Sequence, residues 1–354
     1  MKTGPILGAA ALLALLAAPA TAEPFGAIYA FGDSLSDAGN AYIATGGTTP
    51  PAPPYARING YGVFSNGPVW VQDLASDFGL GPLLPSLAGG TDFAVGGAQT
   101  GAFGRYAGSP GDLLPARGNP VATSQLGMFT AAVPHPAANA LYTFSIGAND
   151  IETILTRDAA HPLRAVSDAI AVIRNIATFV GDLAARGARN FDVLNVPDLG
   201  KAPALRAQGP AAAAEASAFT GAFDVALESA LTGLARSDGL DLHLIDSYAL
   251  VQEAVADPAL FGLTNATDAC LPPGSPIPCA TPDQYLFWDD IHPTETGHRA
   301  LAEAALDPIV LANADPVPEP SSLVLLAAGL GFLGVVARRR RPRVRSLFTR
   351  AARP

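Results

Sequence analysis

Ser34 lies early in the chain, in "AFGDSLSDAGN" (Ala30 to Asn40), and His292 lies near the far end, in "FWDDIHPTETGH" (Phe287 to His298). A serine hydroxyl is a weak nucleophile at neutral pH and needs an adjacent base, which His292 could supply. Asp289 precedes His292 by three residues and Asp290 by two. One short loop can therefore deliver both the imidazole and a carboxylate that orients it and stabilises its protonated form. The chemistry implied is acyl transfer through a covalent serine intermediate. No G-x-S-x-G surrounds Ser34, which argues against the α/β-hydrolase fold. Two more polar clusters interrupt apolar sequence, "DFAVGGAQTG" (Asp92 to Gly101) and "SIGAND" (Ser145 to Asp150).

Each cluster alone has a plain explanation. Asp, Gly and Asn in "SDAGN" favour turns for local reasons, Asn149-Asp150 could cap a helix, and His292-Pro293-Thr294 looks like a helix entry. "VGGAQTG" lacks both the G-x-G-x-x-G spacing and the lysine of a phosphate loop. His135, His161, His243 and His298 have no partner spacing and read as structural. No metal motif appears, and the chemistry requires no cofactor.

The elements that must position these residues alternate. "FGAIYAFGDS" reads as a buried strand entering a turn, "VWVQDLASDFG" as a helix ended by Gly79, and "ALYTFSIGAND" as a second strand with Asn149 at its end. A long amphipathic helix follows from Arg164 to Arg186. "NFDVLNVPDLG" reads as a strand, Ala211 to Arg236 as a helix, "DLHLIDSYAL" as a strand, and Thr294 to Leu311 as a final helix. Strands alternating with helices predict a parallel sheet covered on both faces. Ligands bind such sheets beyond the carboxyl ends of the strands, where "GDS" and "GAND" both fall. Pro/Gly-rich loops at Gly46–Pro54, Leu80–Gly90 and Gly104–Pro120 are long for connections and suit binding or lid roles.

Five blocks in order, "FGDSLSDAGN", "FSNGPVWVQDLA", "DFAVGGAQTG", "SIGAND" and "FWDDIHPTETGH", resemble the GDSL, or SGNH, ester hydrolases, in particular their lipase-like branch. The resemblance implies a flavodoxin-like three-layer α/β sandwich with a central parallel sheet. It implies Ser34 as nucleophile, His292 as base and Asp289 rather than Asp290 as orienter, because the family's block spaces Asp and His three apart. It also implies an oxyanion hole from the backbone N–H of Ser34, the backbone N–H of Gly97 (with Gly96 one residue away) and the side-chain amide of Asn149. Asp33 and Asp37 are then expected to hold the turn and the helix start, with substrate contact by Asp37 as the alternative. The expected substrate is an ester: a lipid, a short acyl ester or an acylated saccharide. Transfer to another acceptor, removal of acetyl groups from polysaccharide, and a non-catalytic polysaccharide-binding scaffold remain alternatives on the same framework.

The two ends do not read as fold. Met1-Lys2 and the apolar run closing at Ala20-Thr21-Ala22 describe a secretory signal peptide over residues 1–22. At the other end Pro318-Glu319-Pro320 precedes an apolar run from about Leu323 to Ala337 and then Arg338 to Arg341. That order resembles a PEP-CTERM sorting signal over residues 316–354. It implies export, anchoring in the inner membrane by the apolar helix with its arginines in the cytoplasm, and processing by an exosortase-type protease. A cell-surface or extracellular fate follows, and the hydrolase domain is expected over residues 23–315. All 31 acidic residues fall between Glu23 and Ala337 beside only twelve basic ones, a formal charge of −19 there. Nucleic acid is a poor partner for such a surface. Cys270 and Cys279 bracket "LPPGSPIP"; in an exported chain they read as a disulfide rather than a metal site.

Overall fold

A computed structural model describes residues 25–101, 111–115, 124–158 and 160–306. The predicted leader and the apolar run at 323–337 with its basic tail lie outside them, as does most of the Gly104–Pro120 loop. Among the described residues no helix is long and apolar enough to cross a membrane.

Four parallel strands form the central sheet in the order β1 (Ala27–Gly32), β4 (Ala140–Ser145), β5 (Asn190–Leu194), β6 (Asp241–Ile245). Register runs from Ala27 opposite Ala140 to Gly32 opposite Ser145, so β1 and β4 end level with each other. Residues 91–95 line the outer edge of β1: Ala30 N–H donates to Thr91 O, and Phe93 and Val95 N–H donate to Ala30 and Gly32 O. That segment closes an edge strand's unpaired backbone, which would otherwise be left open. It also runs directly into Gly96 and Gly97.

Side-chain alternation sorts the strands onto two cores. Phe31, Tyr142, Phe144, Phe191 and Leu244 pack with α3 (Gln125–Ala132), α5 (Pro162–Ala185) and α7 (Pro210–Asp238). Ile28, Ala30, Leu141, Leu194 and Ile245 pack on the opposite face, against α2 (Trp70–Asp77) and α9 (Glu295–Leu306). Helices on both faces of a parallel sheet are the three-layer arrangement expected of strands apolar on both sides.

Smaller elements fill the sheet's carboxyl edge. They comprise α1 (Asn40–Ala44), the two-residue strands β2 (Arg57–Ile58) and β3 (Tyr61–Gly62), α4 (Ala148–Arg157), α6 (Pro203–Arg206), α8 (Ser247–Ala256), and a parallel pair, β7 (Asn265–Ala269) with β8 (Tyr285–Phe287). The strand expected over "DLHLIDSYAL" stops at Ile245. Asp246 accepts the Ala249 N–H at 3.0 Å and starts α8 there, so "SYAL" is helix. Cys270 and Cys279 form a disulfide across the loop between β7 and β8.

Candidate active site

Three chain segments meet beyond the carboxyl ends of β1 and β4. The first is the turn after β1. Gly32 has φ 136°, and a Cβ there would lie 2.1 Å from Ser145 O, so only glycine lets the two strand ends approach this closely. Gln125 braces the same point, its amide donating to Gly32 O while its carbonyl accepts the Gly32 N–H. Asp33 N–H then donates to Ser145 O, and the chain turns sharply at Ser34.

The second segment is the loop after β8. Asp289 Oδ1 accepts the backbone N–H of Ile291 at 2.9 Å and of His292 at 2.7 Å, folding the loop around its own carboxylate. Asp289 Oδ2 lies 2.7 Å from His292 Nδ1, and His292 Nε2 lies 2.8 Å from Ser34 Oγ. Asp289, not Asp290, therefore meets the imidazole. Phe64 packs on the ring, with centroids 5.2 Å apart.

The electrostatics suit a base. Burial alone would lower the His292 imidazolium, but the Asp289 carboxylate outweighs it and the net shift is upward. Burial would likewise raise Asp289, yet the His292 imidazole, its backbone N–H and the Tyr55 hydroxyl hold it well below the usual carboxylate range.

The third segment carries the candidate oxyanion donors. Gly97 takes φ 78°, a left-handed conformation that glycine adopts without steric cost. Among the described residues neither the Ser34 nor the Gly97 backbone N–H donates to a protein acceptor. Both residues border one cavity, together with Asn149 and His292. Asn149 lies in the first turn of α4 rather than at a strand end, because Gly147 turns the chain into the helix at once. Its Nδ2 donates to Ala98 O at 3.0 Å and comes within 3.5 Å of Asp33 Oδ2. Thr100 N–H and hydroxyl donate to Asp150, and Gln99 donates to Asn149 O, lacing the glycine loop to α4.

Asp37 is the brace between the first and third segments. Its carboxylate accepts the N–H groups of Gly39, Asn40, Ala41 and Gly96, the last at 2.7 Å. It does not border the cavity, whereas Asp33 does. Burial pushes the Asp33 carboxyl up to about 7.

Tyr55 was not legible as a site residue. Its hydroxyl donates to Asp289 Oδ2 at 2.5 Å from 234 positions away, and no local spacing connects the two. His243 also has partners that sequence spacing hid: Asp192 at 3.1 Å and Asp241 at 3.2 Å, on neighbouring strands away from the site. Among the described residues no group of histidines, cysteines and carboxylates could hold a metal ion.

Comparison with known proteins places the chain in a family. The chain is 27% identical over 313 residues to GDSL esterase/lipase 5 of Arabidopsis thaliana, covering 78% of this chain and 81% of that one. It is 27% identical over 345 residues to a phosphatidylcholine-sterol acyltransferase of Aeromonas hydrophila, covering 83% and 93%. It is 28% identical over 294 residues to a thermolabile hemolysin of Vibrio parahaemolyticus, covering 79% and 63%. Residues 316–341 match the PEP-CTERM protein-sorting motif. Residues 28–305 match the GDSL-like Lipase/Acylhydrolase family, and the chain belongs to it.

Proposed function

We propose that this protein is an exported serine ester hydrolase that works through an acyl-enzyme on Ser34. The observation that carries the reading is the unbroken hydrogen-bonded series Ser34–His292–Asp289, opening on a cavity bordered by two unengaged backbone N–H donors. As Ser34 Oγ bonds to the ester carbon, its proton passes to His292 Nε2 and the carbonyl oxygen gains the negative charge. The N–H groups of Ser34 and Gly97 and the Asn149 amide stabilise that charge. Breaking the ester C–O bond returns the proton from His292 to the departing alcohol. Water then gives a proton to His292, its oxygen attacks the acyl carbon, and the acid leaves as Ser34 recovers its proton. Asp289 stabilises the imidazolium in both halves.

The hydrolase domain occupies residues 23–315 in this reading, after a leader over 1–22. The sorting motif supports export, and residues 316–354 serve as an exosortase-type signal whose apolar run, about 323–337, anchors the chain in the inner membrane before processing. A second reading, transfer to an acceptor other than water, draws on the Aeromonas acyltransferase relative. It differs only in what attacks the acyl carbon.

The test compares the full-length protein with Ser34→Ala on nitrophenyl esters from acetyl to palmitoyl and on an acetylated polysaccharide. Turnover that falls by roughly 10⁴-fold or more in Ser34→Ala is expected. Equal rates in both proteins on every ester would end the proposal. Turnover that appears only with an added alcohol acceptor would favour transfer.

A further inference from the structure

The cavity that begins at Ser34 does not stop there. Its volume is about 320 Å³, and it continues between Val251 and Ala254 of α8, Phe261, Leu286 and Phe287 of β8, and Leu301 of α9. These walls belong mainly to a small core of their own, apart from the two that cover the sheet. Asp198 also borders this stretch, but its carboxylate is occupied by the Gly200 N–H, the Ser217 hydroxyl and the Gln252 amide. Ala254 is buried and borders the cavity among the larger side chains of those walls.

Resting on the reading of Ser34 as nucleophile, we infer that this chamber is an acyl-chain site and that the preferred substrates are medium-chain acyl esters. The acyl group stays bonded to Ser34 while water attacks, whereas the alcohol must leave. A carbon-lined chamber joined to Ser34 therefore suits the part that stays. The cavity volume includes the space at Ser34 itself, so at about 30 Å³ for a water- or methylene-sized group the chamber accommodates a straight chain of at most about ten carbons. Asp33 and Glu152 border the same cavity beside Ser34 and Asn149.

The experiment measures kcat/KM of the full-length protein for nitrophenyl esters from acetyl to palmitoyl, with Ala254→Phe and Phe261→Ala alongside. The wild type is expected to peak near octanoyl to decanoyl. Ala254→Phe narrows the bore and should lower the decanoyl-to-acetyl ratio about tenfold. Phe261→Ala widens it and should raise the palmitoyl-to-acetyl ratio several-fold. Each ratio is taken within one protein, so a partly folded fraction cancels, and the two variants move in opposite directions. A profile that falls steadily from acetyl, or ratios unmoved by both variants, would overturn the chamber while leaving the hydrolase intact. A series of alkyl acetates separates the ester's two sides: preference that follows alcohol length instead would also overturn it. Loss of all turnover in the wild type is a failure of the hydrolase reading itself.

Discussion

At the scale of single residues, both oxygens of Asp289 are fully engaged. Oδ1 takes two backbone N–H groups, and Oδ2 is shared by His292 Nδ1 and the Tyr55 hydroxyl. Tyr55→Phe removes one donor from that shared oxygen. The carboxylate becomes more basic and holds the imidazolium more firmly, so His292 loses its proton at higher pH. The acidic limb of kcat/KM against pH is expected to move up by about one unit, the equivalent of a weak charge-assisted hydrogen bond. An unmoved limb with a lowered rate would mean that Tyr55 only packs. Tyr55 also shows where sequence reading reached its limit. Asp289 and His292 share a loop, so their spacing of three was visible; Ser34 was visible by its block. The tyrosine reaches Asp289 only through the folded position of a proline-rich loop, and no periodicity encodes that.

Among the elements, β1, β4, β5 and β6 were readable because each is a short apolar run with helix after it. The β7–β8 pair was not: "NATDA" is polar and ordinary, and it becomes a strand only by pairing with β8 beneath the disulfide loop. The start of α4 was placed late for a different reason, since "GAND" reads as a strand end with Asn149-Asp150 as the cap of a helix, whereas Gly147 already turns the chain into it. Cys270 and Cys279 pack with Leu271, Trp288 and Tyr55, one residue from Asp289 and on its hydrogen-bond partner. Opening the cystine frees a short loop, worth about 2–3 kcal/mol in the unfolded chain's entropy. Replacing both cysteines by alanine should lower Tm by several degrees, measured by calorimetry. Activity should fall at temperatures below the new Tm, because Trp288 and Tyr55 lose a wall before the sheet opens. Activity and Tm falling together would place the loop's role in global stability alone.

Across the whole molecule, buried carboxyl groups outnumber their compensations. Burial pushes Asp33 and Asp150 up to about 7 and Asp37 up to about 6, while Asp92 and Asp224 are raised well above the usual range. Each binds its proton more tightly folded than unfolded, so the fold loses stability as pH rises from about 4 to about 7. His292 and His243, both raised, add to that loss as pH climbs past their folded values. His298, kept neutral by burial down to about 3, works in the opposite direction below its ordinary range. The expected outcome is a higher Tm at pH 5 than at pH 8, with kcat/KM rising with pH as His292 gives up its proton. Calorimetry beside a pH–rate profile checks both; a Tm that climbs with pH would contradict the balance drawn here.

The contact between Ser34 and His292 joins residues 258 positions apart, one just after β1 and the other just before α9, the first strand and last helix among the described residues. A protein is made, and crosses a membrane, amino end first. Ser34 therefore emerges long before the histidine it meets in the fold. In the proposed mechanism, the order of translation leaves the nucleophile without its base until His292 has been made.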